Sequence, residues 1–319
     1  MKRLFVIVAL ALLAGAVSAQ SYPSKPVRVV IPWPPGGSND VVGRIVTQKV
    51  GENLGQQFIV DNRAGAGGTI GTDIVVKSQP DGYTIKFGST SSIAVSPNLY
   101  PKLPYDILRD LTPVAQVASA PILLAVHPSV PARTMRDLIA LARAKPGQLT
   151  YASSGSGSSL HLCGEYLKYL AKIDLLHVPY KGAGLALPDL VAGQVQLLFS
   201  DMAPFVPYVK TGRLRILAVT TAERSKLYPD IPTIAESGAP GYDLTGWYGV
   251  LVPTGTPRPI IERLHGELMK AMHAPDMQER YVTLGLEPVE STPEQFGTYI
   301  RAELAKWGDI IKRSGTRVE

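Results

Sequence analysis

Short apolar runs alternate with amphipathic stretches along nearly the whole chain. Val27 to Ile31 reads as a strand, Asp40 to Leu54 has the 3.6-residue period of a helix, and Phe58 to Val60 is a second short strand. Thr69 to Ser78 reads as a helix and Tyr83 to Phe87 as a strand closing on Gly88. This β-α-β-α-β order predicts a sheet covered by helices on both faces. The alternation then repeats. Thr134 to Ala144, Leu160 to Leu170 and Leu185 to Ala192 have helical spacing, with Thr134 as an N-cap. Leu149 to Ala152, Leu175 to Pro179, Val195 to Ser200 and Leu214 to Val219 read as the strands between and after them. Two amphipathic helices, Pro259 to Met272 and Pro293 to Ile311, finish the chain.

Two longer β-rich stretches, Leu111 to Val126 and Tyr242 to Val252, stand between these groups and are expected to cross between two units. The fold class is therefore α/β, with two units hinged by two crossing strands. The expected division is residues 20–110 with 228–319 as a discontinuous first domain and 111–227 as the second. Ligands of open α/β sheets sit outside the carboxyl ends of the strands, so a cleft between the units is the expected site.

The N-terminus changes the picture of where this fold works. Lys2 and Arg3 precede an apolar run from Leu4 to Val17, and Val17-Ser18-Ala19 supplies small residues before Gln20. That is the pattern of a signal peptide, residues 1–19, cleaved after Ala19. The run is shorter than the ~20 residues that span a bilayer, and periplasmic export is expected. The remaining 300 residues suit two domains. They hold 30 basic against 26 acidic residues, a net charge of +4. The excess is scattered, with no basic run or basic-aromatic stripe, which argues against nucleic acid. Cys163 is the single cysteine, so no internal disulfide forms, and its apolar helical setting predicts a buried thiol.

Three segments share one design: a strand, a loop of small residues, then a helix start. The first contains Trp33, Pro35, Gly36, Gly37, Asn39 and Asp40. Glycines there permit tight turning, and free amides at a helix N-terminus form an anion site. The same residues also fit an ordinary capped turn. The second, Gly88 to Ser92, offers Ser89, Thr90 and Ser91. The third, Ser153 to Ser159, offers Gly155, Ser156, Gly157 and Ser158. One serine loop comes from each unit, so two facing halves would supply neutral donors to one cleft. Such donors suit carboxylate oxygens. Tyr180, Lys181 and Gly182 follow another strand, with Lys181 as a charge partner for an anion. Asp201 follows the Val195 to Ser200 strand and either accepts from a ligand hydroxyl or ammonium, or caps the helix after Pro204.

Enzyme signatures are sparse. No G-x-S-x-G elbow or phosphate-binding P-loop occurs, and Arg63 to Gly71 lacks the glycine spacing of a dinucleotide loop. His161 and Glu165 lie one helical turn apart without further ligands for a metal, so no metal and no cofactor are expected. A serine of the third loop paired with His161 is the one hydrolase arrangement to weigh.

The ordered set of motifs resembles the Bug family of extracytoplasmic solute receptors. It comprises Pro34-Pro35-Gly36-Gly37 with Asp40, Asp61-Asn62-Arg63 with Gly65-Ala66-Gly67-Gly68, and Pro80-Asp81-Gly82-Tyr83-Thr84. It continues through Gly155-Ser156-Gly157-Ser158 with His161-Leu162, Val178-Pro179-Tyr180-Lys181-Gly182, and Pro253 with Gly255-Thr256-Pro257. The resemblance spans essentially the whole exported chain. It implies a two-domain periplasmic binding-protein fold of type II-like form. It also implies capture of a small carboxylate by the Pro34 to Asp40 loop and the serine loops, including His161, as a monomer. Handover to the membrane subunits of a tripartite tricarboxylate transporter would follow. A receptor feeding a membrane kinase would look the same in sequence. Trp33 and Cys163 depart from the family pattern, and Trp33 stands where it can reshape the pocket.

Overall fold

Val27, Val29, Val30 and Ile31 are fully buried because their strand, β1 (Val27–Ile31), lies inside a sheet with apolar layers on both faces. The computed structural model describes residues 22–317, so the expected signal peptide lies outside the described residues. Beside β1 lie β2 (Phe58–Asn62) and β3 (Thr84–Ser89), both parallel to it. The sheet is completed by β4 (Leu111–Pro121), β10 (Thr245–Pro253) and β11 (Glu287–Pro288), in the order β11-β4-β10-β3-β1-β2. Between residues 122 and 244 the chain builds a second sheet from β5 (Leu123–Val126), β6 (Thr150–Ser153), β7 (Leu176–Pro179), β8 (Leu197–Ser200) and β9 (Arg215–Val219), ordered β7-β6-β8-β5-β9. Here β6 runs parallel to β7 and β8, whereas β5 is antiparallel to β8 and β9.

The crossing predicted over Leu111 to Val126 breaks at Ile122: β4 belongs to the first sheet and β5 to the second. The return runs from Val219 to Thr245. On the way, Val219 bridges Thr233, and the Ile234 amide donates to the Val219 carbonyl at 2.9 Å. The chain thus changes sheets near residues 122 and 244, not at the expected boundaries of 111 and 228. Hydrophobic pattern shows that a strand is buried, but not which sheet accepts its hydrogen bonds. The two crossings are tied together. The Thr220 amide donates to the Ile122 carbonyl at 2.9 Å, and the Leu244 amide to the Thr220 carbonyl at 2.8 Å.

The Ser38–Leu54 helix packs Val42, Val46 and Val50, one face at i, i+4, i+8, onto the first sheet. It ends at Gly55 in the left-handed conformation. The last helix, Pro293–Ser314, opens with a capping box of Thr292 and Gln295. It buries Glu303, which accepts from the indoles of both Trp247 (2.8 Å) and Trp307 (2.9 Å). It also packs against the Ser159–Ala171 helix of the second lobe. Cys163 is fully buried, and burial pushes its thiol up to about 12. No helix among the described residues is long and apolar enough to cross a membrane.

Candidate functional site

Parallel strands within one sheet end on the same side. The carboxyl ends of β1 and β3 in one lobe, and of β6 and β8 in the other, open onto a shared cavity of about 550 Å³. The first lobe supplies Trp33 to Asn39, Ser89 to Ser91 and Gly246 to Tyr248. The second supplies Ser154, Ser159, Leu160, Lys181 to Leu185, Ser200 and Asp201, and the crossing adds Ala120 and Ile122.

The first loop is built as its residues dictate. The prolines carry the chain away from β1, Gly36 turns it at φ +83°, and Gly37 enters the Ser38–Leu54 helix in an extended conformation. The first amides of a helix have no intrahelical acceptor. Ser38 and Asn39, whose amides are among these, line the cavity with the positive end of a 17-residue helix dipole behind them. Asp40 was expected to contact the ligand, but it does not line the cavity. Its carboxylate turns back to accept from the Gly36 amide (3.0 Å), Arg44 Nε (2.9 Å) and Asn62 Nδ2 (2.9 Å). It braces the loop from beneath. Burial alone would raise the Asp40 carboxyl, but the Arg44, Gly36 and Asn62 hydrogen bonds outweigh it and hold the group below its usual range. A depressed carboxyl contributes stability above its unfolded value of about 3.9, and that contribution is lost as pH falls through the folded value. Acidification below about pH 4 is therefore expected to loosen this loop first. Amide hydrogen exchange should show Gly36 to Asn39 deprotected before β1; uniform protection down to global unfolding would contradict this.

Three buried polar atoms of cavity-lining residues have no hydrogen-bond partner among the described residues: Trp33 Nε1, Asn39 Nδ2 and Asn39 Oδ1. Asn39 is only 8% exposed. An unmet buried amide costs roughly 1–3 kcal/mol, so these atoms call for partners that the surrounding side chains do not supply.

The second loop is not a loop throughout. Ser91 to Val95 forms a π-helical turn running into the Ser96–Leu99 helix, an irregularity that frequents functional sites. Ser89, Thr90 and Ser91 all line the cavity.

The third loop faces differently from expectation. Ser154 and Ser159 line the cavity, whereas Gly155, Ser156, Gly157, Ser158 and His161 do not. Ser158 is spent as the N-cap, accepting from the His161 amide (3.2 Å) and donating to the Gly155 carbonyl (2.7 Å). His161 turns into its own lobe, stacks on His177 at 4.0 Å between ring centroids, and accepts from the Gly157 amide at Nδ1 (3.2 Å). Burial lowers its pKa. That nitrogen is occupied by a backbone donor, so the serine–histidine pair of the hydrolase reading is not assembled. Tyr180 also lies off the cavity and donates to Asp189 at 2.6 Å. Lys181 and Gly182 line it, together with Ala183, Gly184 and Leu185, which sequence reasoning did not select.

Asp201 lines the cavity and is 8% exposed. It does not cap the Val206–Lys210 helix. It accepts from Ser38 Oγ (2.7 Å), Ser200 Oγ (3.0 Å) and Tyr248 Oη (3.1 Å). Ser38 and Tyr248 belong to the first lobe, so Asp201 joins the two lobes across the cavity. A second tie joins Ser91 and Ser159: Ser91 Oγ accepts from the Ser159 amide at 2.9 Å and meets its hydroxyl at 2.9 Å. Trp247, Tyr248 and Ile122 also escaped the sequence reading. They sit on the crossing segments, where apolar residues carry no local sign of lining a site.

Residues 42–316 match the profile of the tripartite tricarboxylate transporter family receptor. Protein BugT of Bordetella pertussis is 36% identical over 98% of this chain and 97% of its own. Among solved structures, Rpa4515 of R. palustris with adipate superposes with a TM-score of 0.88 at 35% identity, covering 93% of this chain and 99% of that one. MatC of Rhodopseudomonas palustris with bound malate gives a TM-score of 0.85 at 31% identity, covering 91% and 100%.

Proposed function

The chain belongs to the tripartite tricarboxylate transporter receptor family, and from that premise we propose that its cavity captures a small carboxylate and releases it chemically unchanged. The observation that carries this reading is a helix N-terminus at the cavity wall, with two unpartnered donors, Trp33 Nε1 and Asn39 Nδ2, on wall residues beside it. A carboxylate accepts from an indole N–H, an amide N–H and backbone N–H groups together. Ser89, Thr90, Ser91, Ser154 and Ser159 add neutral hydroxyls to the wall, and the Asp201 carboxylate on it is already engaged by Ser38, Ser200 and Tyr248. Neutral preorganised donors offset lost hydration without trapping the anion as a buried guanidinium would. Lys181 sits at the exposed edge and adds long-range attraction.

In this proposal the two lobes close about the crossings near Ile122 and Leu244, and the Asp201–Ser38 and Ser91–Ser159 ties hold the closed form. Closure excludes water, which strengthens each donor–carboxylate contact. The exported receptor then works in the periplasm as a monomer and delivers its ligand to membrane transporter subunits. The catalytic reading has no comparable support, because His161 and Ser156 stand away from the cavity.

The relatives seen with adipate and malate suggest the first compounds to test. A captured carboxylate at 100 times its Kd stabilises by about 2.7 kcal/mol. For a protein of this size that is a rise of roughly 5 °C in Tm. Thermal unfolding against a panel of mono-, di- and tricarboxylates reads this directly. No shift with any of them at millimolar concentration would remove the carboxylate reading.

A further inference from the structure

Lys86 is fully buried, at 0% exposure, in the middle of β3. Its ammonium donates to Thr72 Oγ1 at 2.5 Å and to the Ser92 carbonyl at 3.1 Å, and it forms no ion pair among the described residues. Burying an ammonium without a counter-charge is expensive, so it requires a reason. Among the described residues no carboxylate stands within ion-pair distance of it. Its strand neighbours are Val30 on β1 and Leu251 on β10. From the Thr69–Val76 helix come Thr72 and Asp73, but Asp73 gives Oδ2 to Lys77 at 2.6 Å and leaves Oδ1 buried without a partner. Tyr105 lies beside Thr72 with its hydroxyl unpartnered, and burial raises it to about 12, so it stays neutral. The lysine stem passes Gly88, where an added Cβ would stand 2.7 Å from Lys86 Cε.

A hydrogen-bonded path runs from Lys86 to the cavity wall. The ammonium holds the Ser92 carbonyl, Ser92 Oγ accepts from the Ser89 amide at 3.3 Å, and Ser89, Thr90 and Ser91 form the cavity wall. The Ser89 to Ser92 turn thus connects the buried cation to the cavity wall. We propose that Lys86 is the buried counter-charge of this site, positioning the Ser89 to Ser92 turn and coupling carboxylate capture to its own protonation. This rests on the carboxylate-receptor reading and adds to it a residue that never touches the ligand.

Burial pushes the Lys86 ammonium down to about 7, so near neutral pH it is only partly charged. An anion across the turn favours the charged form and raises that value. Capture should then take up a proton near pH 7 and weaken as pH climbs, by about tenfold for each unit by which the ligand raises the lysine. The stacked pair His161 and His177 of the second lobe does not compete for this role. Burial lowers both, His177 to about 4, and they are neutral in this range.

Calorimetric titration of the intact receptor with malate and with adipate tests this, at pH 7 in two buffers of different ionisation enthalpy and across pH 6 to 9. The expected result is net proton uptake at pH 7 and a Kd that rises at least about threefold across the range. In Lys86→Met the uptake should vanish, and the pH profile should flatten at the weaker, high-pH affinity. Lys86→Met removes an unpaired charge while keeping the stem, so it should fold; if it does not, the wild-type proton uptake alone decides. Binding without proton uptake, or uptake that survives in Lys86→Met, overturns the proposal and leaves the receptor reading intact. Absence of binding by either acid and by the wider carboxylate panel overturns both.

Discussion

Gly164→Ala is expected to lower stability by about 2–3 kcal/mol, despite replacing glycine by the best helix former in the middle of a helix. A Cβ at Gly164 would stand 2.2 Å from Tyr151 Cε2, 2.5 Å from Cζ and 2.6 Å from Cδ2. The ring has nowhere to go. It is fully buried, stacks on His177 at 4.9 Å, and is anchored by a 2.6 Å hydrogen bond from its hydroxyl to Glu165. The helix propensity gain of roughly 1 kcal/mol is smaller than the cost of forcing apart a packed helix and strand. Thermal unfolding should show Tm falling by about 4–6 °C. Tyr151 also touches the His161 carbonyl at 3.3 Å, so displacement should disturb the Ser158 cap and the cavity serine beside it, and weaken ligand capture. A Tm equal to wild type would mean that the helix stands further from β6 than described.

Asn39→Leu should do the reverse, damaging binding while sparing the fold. The side chain buries two polar atoms without partners, so an apolar replacement of similar size removes an unmet cost and should leave Tm unchanged or slightly higher. If the amide is a ligand contact, each hydrogen bond to a charged group is worth about 1.5–3 kcal/mol, and carboxylate affinity should fall about 10- to 100-fold. Isothermal titration alongside thermal unfolding separates the two effects. Unchanged affinity would take Asn39 out of the site. A lower Tm without ligand would show that the amide has a structural partner instead.

Both expectations depend on features that local sequence could not display. Gly164 sits in an apolar helical run where alanine would look equally suitable; only the position of Tyr151 on β6 makes the missing Cβ necessary. Asn39 was legible as part of a proline- and glycine-rich loop opening a helix, but so was Asp40. Arg44, Asn62 and the Gly36 amide decide that Asp40 braces the loop while Asn39 faces the cavity. In the third loop, the sequence shows several serines at a strand end without ranking them. Capping requirements consume Ser158 and leave Ser154 and Ser159 to the cavity.

What the sequence determined by itself was the set of elements, their α/β alternation, and the placement of small-residue loops at strand ends. These follow from periodicity, glycine and proline positions and caps, all of which act within a few residues. It also carried the family resemblance, because the motifs recur in order along the chain. Only the tertiary structure decided where the chain changes sheets, which hydroxyl of each loop faces the cavity, and that Asp201 and Ser91 bind the lobes to each other. The tertiary structure alone also placed an unpaired Lys86 behind the Ser89 to Ser92 turn. Those outcomes depend on hydrogen bonds and packing between residues tens to hundreds of positions apart, and periodicity carries no information about such partners.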